Sequence, residues 1–319
     1  MNKESLRIIY MGTPDFAVLP LKTLVENGYN IVGVITNPDK PAGRGQKLQE
    51  SAVKKYAQEV GLNILQPEKF RNEEFLQALK NLKADLQLVI AFKMLPEVVW
   101  NMPRLGTVNL HASLLPAYRG AAPINWAIIN GEKKTGLTTF LLQHEIDTGN
   151  VLFRQEVEIS DNMTAGELHD ELMIQGAELI IKTVDAMIKG DYPLISQESL
   201  TTGNECTQAP KIFKDDMKID WSKDINQVYN HIRGLSPFPA AWTELKNTDT
   251  GETISMKVYQ SSKILDTTIT KGGIIRSTRE TLEISAIGGW IKLEEIQLAG
   301  KKRMKTEDFL RGFNLSTWN

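Results

Sequence analysis

Over the first hundred residues, apolar runs of strand length alternate with stretches in which apolar positions fall three and four apart. Leu6 to Tyr10, Ile31 to Thr36 and Leu86 to Phe92 read as strands, and Asn63 to Leu65 as a shorter one. Between the first two, Ala17, Leu21, Leu24 and Val25 share one helical face. Thr13 is placed to cap that helix, Pro14 to open it and Gly28 to end it. Ser51 to Val60 and Glu73 to Leu82 repeat the helical period. Strands and helices in this alternation predict an α/β, Rossmann-like, mostly parallel sheet with flanking helices.

Asn37 to Gln46 interrupts the rhythm. Its two prolines, two glycines and two basic residues exclude a helix or a central strand, so a mobile loop is expected. Further on, Ile124 to Ile129 reads as a helix, while Leu137 to Leu142 and Val151 to Ile159 read as strands bracketing a D-T-G turn. Thr164 and Glu167 make a capping box for a long helix with Leu168, Leu172, Ile180, Val184 and Met187 inward. From Gly190 to Pro210 the periodicity is lost. A helix from Asp224 to Arg233 follows, with Ile225, Val228 and Ile232 in phase. After it come short strand candidates at Ala241 to Leu245, Thr253 to Tyr259, Ile274 to Ser277, Leu282 to Ala286 and Trp290 to Gln297. Five such strands with glycine turns suggest a small OB-like β-barrel. The expected organisation is a catalytic domain over 1–190, a linker over 191–210 and a barrel domain over 211–319, without an internal repeat.

The chain has 319 residues, 41% of them hydrophobic, enough for two cored domains. Nowhere do eighteen apolar residues run uninterrupted, so a soluble cytoplasmic protein without a membrane partner is expected. The single cysteine, Cys206, excludes an internal disulfide framework and reads as an inert thiol. Histidines at 111, 144, 169 and 231 make no H-x-x-x-H pair, which argues against a metal site, and Gly12-Thr13-Pro14 lacks the dinucleotide fingerprint. A net charge of −2 gives no general attraction to DNA. The charge is uneven, however: residues 251–319 carry eleven Lys and Arg against eight Asp and Glu, whereas residues 1–250 carry 26 against 31. Lys301, Lys302, Arg303 and Lys305 form the densest basic cluster, either a phosphate contact or solvated surface.

The candidate chemistry lies between Asn109 and Pro123, N-L-H-A-S-L-L-P-A-Y-R-G-A-A-P, with Asp147, Thr148 and Gly149 downstream. An imidazole such as that of His111 exchanges protons near neutrality once a partner fixes its orientation, and Asp147 is the natural candidate. The amide of Asn109 can donate to a developing oxyanion without titrating. On extended backbone, residues two apart face the same side, so Asn109 and His111 would converge on one substrate atom. Loops after parallel strands are where α/β sheets place ligands. Spacing alone still leaves a structural histidine and a turn-forming asparagine open as readings. Ser113 has no G-x-S-x-G elbow, so a serine nucleophile is disfavoured. Ser113 to Gly120 could make a slot for a planar heterocycle or simply a buried loop.

The run H-A-S-L-L-P-A-Y-R-G-A-A-P-I at His111 to Ile124, with D-T-G downstream, closely resembles the folate-dependent formyltransferases, whose pattern is N-x-H-x-S-L-L-P followed by D-T-G. Tyr10 to Phe16, Pro38 to Gly45 and Ile219-Asp220-Trp221 resemble the members of that family that act on methionyl-tRNA, so the likeness covers essentially the whole chain. One departure is local. The family shows A-Y-G-x-x-L-P after the fourth strand, where this chain has Ala91 followed by Phe92, Lys93, Met94, Leu95 and Pro96, one residue shorter and without the glycine.

The resemblance implies direct transfer of a formyl group from 10-formyltetrahydrofolate, a co-substrate, to the α-amino group of initiator methionyl-tRNA, with no metal. It implies that Asn109, His111 and Asp147 are catalytic, that Ser113, Leu114, Leu115 and Pro116 contact folate, and that Arg44 meets the acceptor arm of tRNA. The C-terminal barrel, with Lys301, Lys302 and Arg303, is then expected to support the tRNA, and the protein to act as a monomer. The alternatives are a formyltransferase for a small amine such as an amino-sugar nucleotide or glycinamide ribonucleotide, a hydrolase releasing formate from the same folate, or a non-catalytic RNA-binding module.

Overall fold

The computed structural model describes every residue except 43–46, 146, 201–206, 314, 316 and 319. The expectations for Arg44 and Cys206 therefore lie outside the described residues. Two units divide the chain: Met1–Gly120, Thr135–Val157 and His169–Gln208 in the first, Ala121–Lys134, Glu158–Leu168 and Ala209–Asn319 in the second.

In the first unit, β1 (Ile8–Gly12) is buried along its whole length because it lies mid-sheet, parallel to β2 (Ile31–Ile35) on one side and β6 (Leu86–Ile90) on the other. A strand covered on both faces needs no polar alternation, so these segments read as apolar runs. β5 (Ile64–Leu65) extends the sheet beyond β2, and β7 (Thr107–His111) extends it beyond β6, both in parallel. β9 (Lys134–Leu141) pairs antiparallel with β7, and β10 (Val151–Glu158) completes the order β10-β9-β7-β6-β1-β2-β5.

The first helix begins later than its sequence suggests. Pro14 is extended, Asp15 to Ala17 form a 3-10 turn, and α1 (Val18–Glu26) starts after Ala17 with no side-chain cap. Thr13 does not cap it, and its hydroxyl is buried without a hydrogen-bond partner. The chain is held too close to β1 for an earlier start: Tyr10 donates to the Ala17 carbonyl at 2.5 Å, and a Cβ on Gly12 would lie 2.6 Å from that of Ala17. The next two helices carry side-chain caps. Ser51 accepts from Lys54 N ahead of α2 (Ala52–Glu59), and Asn72 accepts from Phe75 N ahead of α3 (Glu73–Asn81). Between them the proline-rich segment is more ordered than its composition suggests at its flanks, where β3 (Lys40–Ala42) and β4 (Lys47–Gln49) pair as an antiparallel ribbon. A two-stranded ribbon is all edge, which is where Pro41 is tolerated. Lys54 ties its base, bonded to Asp39 at 2.5 Å and to Glu50 at 2.9 Å.

After β6, Ala91 takes a left-handed φ of 47°, Leu95 returns to the core and α4 (Glu97–Trp100) follows. α6 (Ala165–Lys189) opens on the expected box, with Thr164 N donating to Glu167 at 2.8 Å. All five of its expected inward residues are buried. Two-residue strands β8 (Arg119–Gly120) and β11 (Gln208–Ala209) lie in the connecting segments.

The second unit packs α5 (Pro123–Ile129) and α7 (Ile225–Leu235) with a curled antiparallel sheet. Its strands are β12 (Ala241–Lys246), β13 (Thr253–Leu265), β14 (Ile275–Ser277), β15 (Leu282–Ala286) and β16 (Gly289–Leu298), in the order β12-β13-β16-β15-β14. The expected strand at Thr253 to Tyr259 runs on to Leu265 through register shifts between Val258 and Ser261, and such irregularities bend a sheet into a half-barrel. Ile225, Val228 and Ile232 enter its core with Met256, Ile284 and Leu293. β17 (Met304–Lys305) and α8 (Thr306–Gly312) are too short to show a period, yet α8 inserts Phe309 into the same core. Among the described residues no helix is long and apolar enough to cross a membrane.

Candidate active site

The first unit gathers its polar chemistry where β7 ends. Asn109 and His111 sit two apart on that strand, opposite Phe140 and Thr138 of β9. Their side chains therefore leave the same face of the sheet. Asn109 is half-buried, and its amide has no hydrogen-bond partner among the described residues. His111 is 8% exposed, and its Nε2 lies 2.9 Å from the carbonyl oxygen of Tyr118. A carbonyl can only accept, so Nε2 carries a proton, and in the neutral form of the ring the lone pair is then on Nδ1. Nδ1 is 3.9 Å from Oδ2 of Asp147. That is too long for a hydrogen bond but close enough for the carboxylate to stabilise an imidazolium.

The D-T-G turn explains its own composition. Asp147 occupies the left-handed region at φ 55°, which Asp tolerates better than most residues. Its Oδ2 accepts from the backbone of Gly120 at 3.1 Å, and Thr148 bonds back to the Glu145 carbonyl. Gly149 is packed so closely on β9 that a Cβ would lie 1.6 Å from the Leu141 carbonyl oxygen.

The S-L-L-P stretch faces inward. Ser113, Leu115 and Pro116 are buried, and only Leu114 is partly exposed. The Ser113 hydroxyl is spent on the Ala117 carbonyl at 2.6 Å, and Leu115 packs with Phe140 and Val151. Buried Thr138 satisfies the backbone, donating to the Ser113 carbonyl at 2.6 Å and accepting from Leu115 N at 3.1 Å. What the stretch offers a ligand is the shape of a fixed loop more than side-chain surface.

Three contributors are invisible in the sequence. The Tyr118 carbonyl sets the histidine tautomer, and a backbone group leaves no signature. Thr138 reads only as a strand residue. Gln197, 3% exposed, lies in the aperiodic stretch after α6 and donates to the carbonyls of Asp147 and Gly149 at 2.8 and 2.9 Å.

Residues 6–184 match the family described as Formyl transferase, and residues 211–314 match Formyl transferase, C-terminal domain. The chain belongs to the formyl transferase family. It is 55% identical over 317 residues to the methionyl-tRNA formyltransferase of Bacteroides fragilis, covering 99% of this chain and 98% of that one. Its identity to the enzyme of the same name from Phocaeicola vulgatus is also 55%, over 322 residues, covering 100% and 99%. Among solved structures, an N-formyltransferase from Helicobacter canadensis in complex with folinic acid and dTDP-3-aminofucose shares the fold at a TM-score of 0.65 and 19% identity, covering 94% of this chain and 100% of that one.

The basic cluster of this formyl transferase lies in the second unit, apart from the residues above in sequence. Arg303 is engaged there, 2.5 Å from Glu295 and over the ring of Tyr259 at 4.3 Å. Lys301 and Lys302 lie exposed in the turn between β16 and β17.

Proposed function

We propose that the protein transfers the formyl group of 10-formyltetrahydrofolate to the α-amino group of initiator methionyl-tRNA in the cytoplasm. One observation carries the chemistry: the Asn109 amide, without a hydrogen-bond partner among the described residues, shares one face with a histidine whose Nε2 is bonded to a carbonyl, and a carboxylate lies 3.9 Å from the other ring nitrogen. In this reading the amine attacks the formyl carbon and a C–N bond forms as the carbonyl electron pair moves to oxygen. The Asn109 amide donates to that oxyanion. His111 Nδ1 takes the proton lost by the amine, with Asp147 balancing the charge on the ring. Collapse restores the carbonyl, breaks the bond to N10 of the folate and returns the proton to that nitrogen. The fixed loop from Ser113 to Pro116 bounds the folate site, while Arg44, Lys301, Lys302 and Arg303 contact tRNA phosphates. Residues 1–190 are the catalytic part and 211–319 the tRNA-supporting part, joined by 191–210.

The choice of methionyl-tRNA over a small amine is supported by similarity to the methionyl-tRNA formyltransferases along the whole chain, second unit included. Purified protein given labelled 10-formyltetrahydrofolate should label charged initiator tRNA. Label on a nucleotide-linked amino sugar alone, or free formate alone, would replace this reading.

A further inference from the structure

Gln197 spends its amide nitrogen on the D-T-G turn. Its Nε2 has two protons, and they go to the carbonyls of Asp147 at 2.8 Å and Gly149 at 2.9 Å. Its Oε1 accepts from both Nε and Nη2 of Arg119, at 3.1 and 2.6 Å. Arg119 immediately precedes Gly120, whose N–H donates to the Asp147 carboxylate at 3.1 Å. A closed loop of contacts thus runs from Arg119 through Gln197 to the Asp147 backbone, and from the Asp147 carboxylate back to Gly120. The carboxylate that faces His111 is held at both its main chain and its side chain.

We infer that Gln197, itself oriented by Arg119, is a positioning residue that fixes the Asp147 carboxylate opposite Nδ1 of His111. This rests on the reading of Asp147 as part of the reacting site. Asp147 sits in the left-handed backbone region, and the two bonds from Gln197 to the Asp147 and Gly149 carbonyls hold the turn in that conformation. The two carbonyls lie two residues apart and point at one nitrogen, which a glutamine amide can satisfy and a carboxylate cannot. Gln197 touches no reacting atom. Its effect reaches the chemistry through the 3.9 Å spacing between Asp147 and His111.

Glutamate at this position separates positioning from simple packing. Gln197→Glu keeps size and strengthens the contact with Arg119, but it removes both donors to the turn and sets an acceptor against two carbonyls. Formylation by the full-length protein should then show kcat lowered between about tenfold and a hundredfold, with KM for 10-formyltetrahydrofolate within about twofold of wild type. Arg119→Leu, which leaves Gln197 unanchored, should lower kcat in the same sense and serves as the second variant if Gln197→Glu does not fold. Combined with Asp147→Asn, either change should cost little more, because both act through the same carboxylate. Full kcat in a folded Gln197→Glu or Arg119→Leu protein would overturn the inference, as would losses that multiply with Asp147→Asn. If Asp147→Asn itself left kcat intact, the reading of the site beneath the inference would fall first.

Discussion

The end of β7 and the turn that carries Lys301 and Lys302 use polar residues in opposite ways. Around His111 almost every polar group is buried and matched: the histidine proton to Tyr118, the Ser113 hydroxyl to Ala117, the Thr138 hydroxyl to Ser113 and Leu115, the Gln197 amide to the D-T-G turn. Lys301 and Lys302 stand in water. A buried polar group left unmatched loses its hydration without return, so each member of the first set is tied to one position and one chemistry. An exposed cation keeps its hydration and acts through the sum of the local field, so its neighbours can replace it. Substitutions should therefore be severe and specific in the first region and mild, graded and salt-dependent in the second.

The sharpest test of that contrast is at the two residues proposed to meet the substrate. Asn109→Ala removes the proposed oxyanion donor and His111→Ala the proposed proton acceptor. Each should lower kcat by roughly a hundredfold or more, equivalent to about 3 to 4 kcal/mol of transition-state stabilisation, while the thermal transition stays near that of wild type. Formylation kinetics beside a melting curve would check this, and activity within a few-fold of wild type in both variants would end the assignment.

Gly149 probes how rigid the same region is. Any side chain there meets the Leu141 carbonyl, which belongs to β9 and can move only with the sheet. Gly149→Ala should cost about 1 to 3 kcal/mol of stability through overpacking, seen as a lowered Tm. It should also slow formylation, because Gly149 and Asp147 share the Gln197 amide. An unchanged Tm would mean that the turn adjusts freely.

Which parts of this were legible in the sequence follows from the range of the interaction that fixes each part. The Asn109 and His111 pair, the capping box at Thr164 and the inward face of α6 depend on spacings of two to four residues, and these survive in one dimension. The late start of α1 depends on Tyr10 and Gly12 holding Ala17 against the sheet, a constraint set by β1 and not by the helix. Gln197 reaches back fifty residues to Asp147 from a stretch with no periodicity, so nothing near it marks its role. β17 and α8 are too short to show a pattern before the core that receives Phe309 exists.

In the exposed region the expected effects are smaller. Replacing Lys301 and Lys302 together with Gln should raise KM for methionyl-tRNA several-fold, leave KM for the folate unchanged and flatten the salt dependence of tRNA binding by about one unit of slope per lost phosphate contact. Arg303 should matter less for tRNA than its charge suggests, because Glu295 and Tyr259 already hold it. A folate effect equal to the tRNA effect would break the proposed separation of roles.

His231 on α7 places a buried-type group in the second unit and gives the smallest expected effect. Burial is the main cause that holds its imidazole below the ordinary pKa of about 6.5, and nearby Lys223 adds to it, against opposing contributions from a Met217 backbone hydrogen bond, Asp216 and Asp220. Its Nε2 is buried without a partner. The unfolded chain binds a proton at this site near pH 6.5 while the folded chain resists it, so the folded state loses stability as pH falls below that value and is unaffected above it. His231→Gln carries no proton to bind, so its Tm should fall less than that of wild type between pH 7 and pH 5, with both proteins alike in their response above pH 7. Melting curves at matched ionic strength read this directly. Parallel declines in the two proteins would show that acid destabilises the fold elsewhere.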